Sequence, residues 1–136
     1  MTHNPIGFAV LVDPALEEPV YVQVARQIRE AIASGAIPPG AVLPSVRALG
    51  TDLGVNLNTI ARAYRVLEED GFVAIESRSG VRVMSPGAHA SPERRTQLQR
   101  ELRAVLVRLR QAGLSPRELR RAALRQIAVL SVPHRT

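Results

Sequence analysis

The sequence predicts a mainly α fold with a small β-hairpin. Three helices and the hairpin make one unit, and two further helices follow it. Three observations lead there. Apolar residues recur at spacings of three and four in five separate stretches of the 136 residues. Glycine or Pro-Gly turns separate most of these stretches. Only Phe72–Ile75 and Val81–Met84 read as paired strands, and they flank a short polar tip. Aromatics are confined to Phe8, Tyr21, Tyr64 and Phe72, so Leu, Val, Ile and Ala must build the core, which favours helix packing.

Residues 1–18 form a Pro-punctuated leader in which Ile6, Phe8, Val10 and Val12 alternate, a pattern that suits a short strand. After Pro19 a first helix places Tyr21, Val24, Ala25, Ile28, Ala31 and Ile32 on one face. Gln23, Arg26, Gln27, Arg29 and Glu30 fall on the other face. Gly35 stops this helix, and Ile37-Pro38-Pro39-Gly40 is a rigid turn. Ser45 stands as N-cap before Val46, Leu49 and Leu53, and Gly54 ends this second helix after barely two turns. A third helix runs from about Asn56 to Glu69, with Ile60, Ala63, Tyr64 and Leu67 inward. At 100° per residue, Asn58, Arg62 and Arg65 project nearly opposite Ile60. The hairpin then closes a winged helix-turn-helix over 19–84.

Residues 85–92 read as a linker. A long helix over roughly 93–112 carries an apolar stripe, and Gly113 suits its C-terminus. Ser115-Pro116-Arg117-Glu118 begins the last helix, with Ser as N-cap, Pro at N1 and Glu completing a capping box.

Several chemistries lack their residues. There is no cysteine, hence no disulfide and no thiolate ligand. His3, His89 and His134 lie in the leader, the linker and the C-terminus, away from carboxylates on patterned elements. No P-loop, dinucleotide fingerprint, nucleophile elbow or metal-ligand spacing occurs. The expectation is therefore no enzyme, no metal and no cofactor. No apolar run approaches the roughly 18 residues of a membrane span, and the N-terminus lacks the pattern of a signal peptide. A cytoplasmic protein with no membrane partner is expected.

Charge is unevenly spread. All 18 basic residues are arginine. Residues 1–86 hold seven arginines and nine acids, net −2, while 87–136 hold eleven arginines and three acids, net +8. Bulk charge alone would place nucleic acid on the second half.

The helix-turn-helix places it on the first. Such a motif lays its second helix in the DNA major groove. Asn56, Asn58 and Thr59 stand at the entrance of that helix, and Arg62 and Arg65 follow on its outer face. Asn pairs bidentately with adenine, Arg with guanine, and Thr reaches phosphate or a thymine methyl. Taken singly, Asn56 reads equally as an N-cap, and Arg62 and Arg65 as a solvated face. Arg47 opposes the dipole of the second helix, which suggests an external anion. Arg78, Ser79 and Gly80 at the hairpin tip suit a wing that reaches phosphate or the minor groove.

Residues 19–84 resemble the DNA-binding domain of the GntR family of bacterial transcription regulators. The matching pieces are Pro-x-Tyr-x-Gln-x-x-x-Gln-Ile at 19–28, Gly-x-Ile-x-x-Gly at 35–40 and Leu-Pro-Ser-x-Arg-x-Leu at 43–49. Leu-Gly-Val-Asn-x-Asn-Thr-Ile-x-x-Ala-Tyr-x-x-Leu-Glu at 53–68 and Gly-Phe-Val at 71–73 complete them. The short tail is similar to the YtrA-like subfamily, whose C-terminal part is a small helical dimerisation unit. The resemblance implies DNA contacts at Ser45, Arg47, Asn56, Asn58, Thr59 and Gly80. Leu57, Ala61, Arg78 and Arg82 depart from residues common in relatives, which bears on base preference and the path of the wing.

The tail at 93–136 reads as a dimerisation domain. Leu98, Leu102, Val105, Leu106, Leu109, Leu119, Ala123 and Ile127 line its apolar faces, and a second copy would bury them. Folding back onto its own winged helix is the alternative. Its arginines are either solvated or add phosphate contacts. The resulting expectation is a homodimeric, sequence-specific transcription regulator, a repressor, on a two-fold double-stranded DNA operator. Whether a small-molecule effector acts is open, as is its identity; any effector is expected between winged helix and tail or at the dimer seam. The competing class is a winged-helix protein–protein interaction module without specific DNA binding.

Overall fold

The computed structural model describes residues 9–76, 80–88 and 90–130. Its elements run α1 (Val20–Ala33), β1 (Val42–Leu43), α2 (Val46–Leu53), α3 (Leu57–Glu69), β2 (Val73–Glu76), β3 (Gly80–Val83), α4 (Pro92–Gln111) and α5 (Pro116–Leu130). The chain divides into two compact units, one holding the described residues up to Ala88 and the other the rest.

In the first unit the α3 stripe of Ile60, Ala63, Tyr64 and Leu67 is fully buried. It belongs to one core with Val24, Ala25 and Ile28 of α1, and with Ile37, Leu43, Val81 and Val83. Each large aliphatic side chain buried there contributes roughly 1.5–3 kcal/mol. α3 is thus held from behind, and its opposite face is left to solvent.

The expected hairpin is two strands of a three-stranded antiparallel sheet in the order β1-β3-β2. β1 adds the pairs Val42↔Arg82 and Leu43↔Val81. The register turns Leu43, Val73, Val81 and Val83 to the core and leaves Val42 and Arg82 exposed. Two residues are too few for alternation to register, so β1 escapes a sequence reading; β3 creates it by offering an unpaired edge.

Two expectations for the N-terminal part are corrected. Ile6 and Phe8 lie outside the described residues, and the rest of the expected strand, through Val12, forms no strand. Its backbone bonds to glutamine side chains instead. The Gln27 carboxamide accepts from the Leu11 N–H at 2.9 Å and donates to the Leu11 carbonyl at 2.7 Å. Gln23, expected on the outer face of α1, is 1% exposed. It accepts from the Asp13 N–H and donates to the carbonyls of Asp13 and Glu18, each at 2.9 Å. Four residues of helix rise ~6 Å and two extended residues span ~6.7 Å, so two glutamines one turn apart match alternate residues of an extended segment.

In the second unit, α4 begins at Pro92 with Ser91 as its cap, so the helix takes over the end of the expected linker. The Ser115–Glu118 capping box forms as expected: Ser115 Oγ accepts from the Glu118 N–H at 3.1 Å, and a Glu118 carboxylate oxygen accepts from the Ser115 N–H at 3.3 Å. Neither α4 nor α5 holds a buried residue. Leu98, Leu102, Val105 and Ile127 are exposed, while Leu106, Leu109, Leu119 and Ala123 are half-buried.

Candidate nucleic-acid interface

The interface is built on how α2 and α3 are joined. Ser45 caps α2: its Oγ accepts from the Ala48 N–H at 3.0 Å, and its own hydroxyl hydrogen is left to donate outward. Gly54 ends α2 in the left-handed region at φ +65°, where a side chain would be strained. The Val55 N–H then reaches back to the Gly50 carbonyl at 2.9 Å, closing a tight helix terminus. Gly50 is required inside the helix, because a Cβ there would lie 2.9 Å from the Val55 carbonyl oxygen.

Asn56 follows directly and stands outside α3 as its N-cap, with Oδ1 accepting from the Asn58 N–H at 2.8 Å. Its NH2 group remains available as a donor. Asn58 is exposed at the entrance of α3 and Thr59 is half-buried beside it. Arg47 is exposed in the first turn of α2, and neither helix carries an acid in its first turn. The uncapped N–H groups and the positive dipole end of each helix therefore have no acid of the helix's own first turn beside them.

Arg62 and Arg65 leave α3 on its exposed face. The Arg62 guanidinium carbon lies 3.9 Å from the centroid of the Tyr21 ring, so this side chain is stacked on α1. No spacing rule on α3 alone reveals that contact. In the wing, Gly80 starts β3, and Arg82 pairs with Glu76 across the strands at 3.0 Å. Arg78 and Ser79 lie outside the described residues, as do His3, His89 and His134.

Internal pairing consumes much of this unit's positive charge. Arg26 forks onto Glu18 at 3.2 and 3.0 Å. The guanidinium hydrogen bond holds the Glu18 carboxyl below its ordinary range. Arg29 pairs with Asp70 at 3.3 Å. Among the described residues of this unit, Arg47, Arg62 and Arg65 have no ion pair. No group of His, Cys, Asp or Glu among the described residues could hold a metal ion, and no helix there is long and apolar enough to cross a membrane.

Residues 20–83 match the family described as bacterial regulatory proteins, gntR family. The chain is 44% identical over 69 residues to the HTH-type transcriptional regulator Rv1152 of Mycobacterium tuberculosis, covering 51% of this chain and 57% of that protein. It is 29% identical over 111 residues to the HTH-type transcriptional repressor YtrA of Bacillus subtilis, covering 81% and 85%. Among solved structures, YtrA from Sulfolobus acidocaldarius, a GntR-family transcription factor, superposes with a TM-score of 0.60 at 31% identity, covering 88% of this chain and 97% of that one.

Proposed function

The chain belongs to the gntR family of bacterial regulatory proteins, in its YtrA-like group, and from that premise we propose that it is a homodimeric repressor reading a two-fold DNA operator through α3 and the wing. The observation that carries this reading is the entrance of α3. Asn56 and Asn58 are exposed there on a helix whose other face is fixed in the core. In this reading Asn58 and Arg62 contact base edges. Ser45, Arg47, Asn56, Thr59 and Arg65 contact phosphates, and Gly80 lets the wing pass close to the backbone. Repression is supported by the likeness to the Bacillus repressor.

Dimerisation is supported by the tail, where Leu98, Leu102, Val105 and Ile127 stay exposed on helices that bury nothing else. A dimer would offer two copies of α3 to half-sites one DNA turn, about 34–36 Å, apart.

The test is selection of duplexes from a random-sequence pool, followed by binding of the selected duplex. Wild type should enrich an inverted repeat. The double change Asn58→Ala with Arg62→Ala should abolish preference for it while weak non-specific binding persists. Leu102→Glu should convert the dimer to a monomer by light scattering and weaken binding to the repeat. A wild type that enriches no sequence would favour the protein–protein module instead, and unaltered preference in the double variant would move base reading away from Asn58 and Arg62.

A further inference from the structure

Tyr21 sits in the first turn of α1, half-buried against the core. Its ring lies under the Arg62 guanidinium at 3.9 Å. A stacked guanidinium keeps its N–H groups in its own plane, so the ring occupies one face and leaves the edge donors open. Arg62 is exposed, and no hydrogen bond or ion pair engages it among the described residues. Other arginines of the unit are held differently. Arg26, Arg29 and Arg82 are fixed by carboxylates, which occupy those same edge donors. Arg29 also lies near an aromatic ring, that of Phe72 at 5.6 Å, but its edge is taken by Asp70. Arg62 thus rests on a partner that leaves its hydrogen-bonding edge available. Bidentate reading of guanine needs that edge in a fixed plane, and a long side chain ordered before binding loses less freedom on contact.

We propose that Tyr21 is a positioning residue for base reading: its ring pre-orders the Arg62 guanidinium and turns its edge toward a guanine of the operator. The assignment rests on the reading that α3 enters the DNA groove. It extends the recognition surface from α3 to α1.

The experiment uses the full chain and a duplex selected by the wild-type protein, with single-base-pair variants of that duplex as competitors. Tyr21→Phe keeps the ring and should bind within about twofold of wild type. Tyr21→Leu and Tyr21→Met keep apolar bulk and lose the ring. Each should bind the selected duplex roughly two- to fivefold more weakly, with an unchanged salt slope. Each should also flatten preference at the same base pair that Arg62→Ala flattens. In an Arg62→Ala background the ring variants should cost nothing further. The preference is a ratio measured on one sample, so a partly unfolded fraction does not alter it. Preserved preference at that base pair in both ring variants overturns the proposal, as does a full additional loss in the Arg62→Ala background. If wild type selects no sequence at all, the function reading itself fails. If it selects one and the ring variants keep it, only the role of Tyr21 falls.

Discussion

The Tyr64 hydroxyl donates to the Pro44 carbonyl at 2.6 Å. Tyr64 is fully buried on α3, and Pro44 immediately precedes the Ser45 cap of α2. One bond therefore ties the middle of α3 to the entrance of α2, joining the two helices whose N-terminal ends carry the proposed phosphate and base contacts. Tyr64→Phe removes only the oxygen and should cost about 1–2 kcal/mol. Urea unfolding should show a lower midpoint with an unchanged slope. Burial pushes the Tyr64 phenol above its ordinary value of 10. A raised value means the fold favours the protonated form. That stability is complete below the unfolded phenol's range and declines as pH rises beyond about 10. Tyr64→Phe should lack that part of the alkaline decline.

Gly50 sets two effects against each other. Alanine is the better helix former by about 1 kcal/mol, so helix propensity alone makes Gly50→Ala stabilising. Its Cβ would however meet the Val55 backbone oxygen at 2.9 Å, and backbone cannot rotate aside as a side chain can. Opening the turn should outweigh propensity, for a net loss of about 1–3 kcal/mol. Thermal unfolding checks the sign, and a raised midpoint would mean that the turn yields more easily than this geometry implies.

Gln23 is the internal partner of the leader. Replacing it with Leu keeps the volume but strands the Asp13 N–H and the carbonyls of Asp13 and Glu18. At roughly 0.5–1.5 kcal/mol per bond, the loss should be about 2–4 kcal/mol. Amide exchange localises it: protection at Asp13 should fall well before protection in α3. The neighbouring Leu11 amide, held by Gln27, should follow only if the two glutamines act as one clamp.

How much of this was legible in the sequence depended on range. The α3 stripe, the Ser45 cap, the Gly54 stop and the Ser115–Glu118 box are local, set by residues within a turn of one another, and the sequence displays them directly. Features that need a distant partner were hidden. Gln23 looks like a surface residue until the leader wraps over it. β1 exists only because β3 returns beside it. Arg62 reads as a free cation until the fold brings Tyr21 beneath it. At the interface the residue types were readable, and their attachments to α1 and to Pro44 were not.

The charge distribution leads to the last prediction. In the first unit Arg26, Arg29 and Arg82 are committed to carboxylates, which leaves Arg47, Arg62 and Arg65 among the described residues open to DNA. The eleven arginines of residues 87–136 face only three acids. If the tail arginines touch DNA beyond the operator core, their removal must change how binding responds to salt, because every phosphate that a protein neutralises steepens the slope of log K against log salt by about 0.9. Changing Arg94, Arg95, Arg120 and Arg121 together to Gln should then flatten the slope by at least that amount. Base preference should stay the same, since phosphate contacts carry no direct sequence information. The proposed dimer must be checked in each variant by light scattering, because α4 and α5 carry both the arginines and the apolar stripe. A slope unchanged in an intact dimer assigns the tail charge to solvent. The affinity of the winged helix would then depend on being presented in pairs.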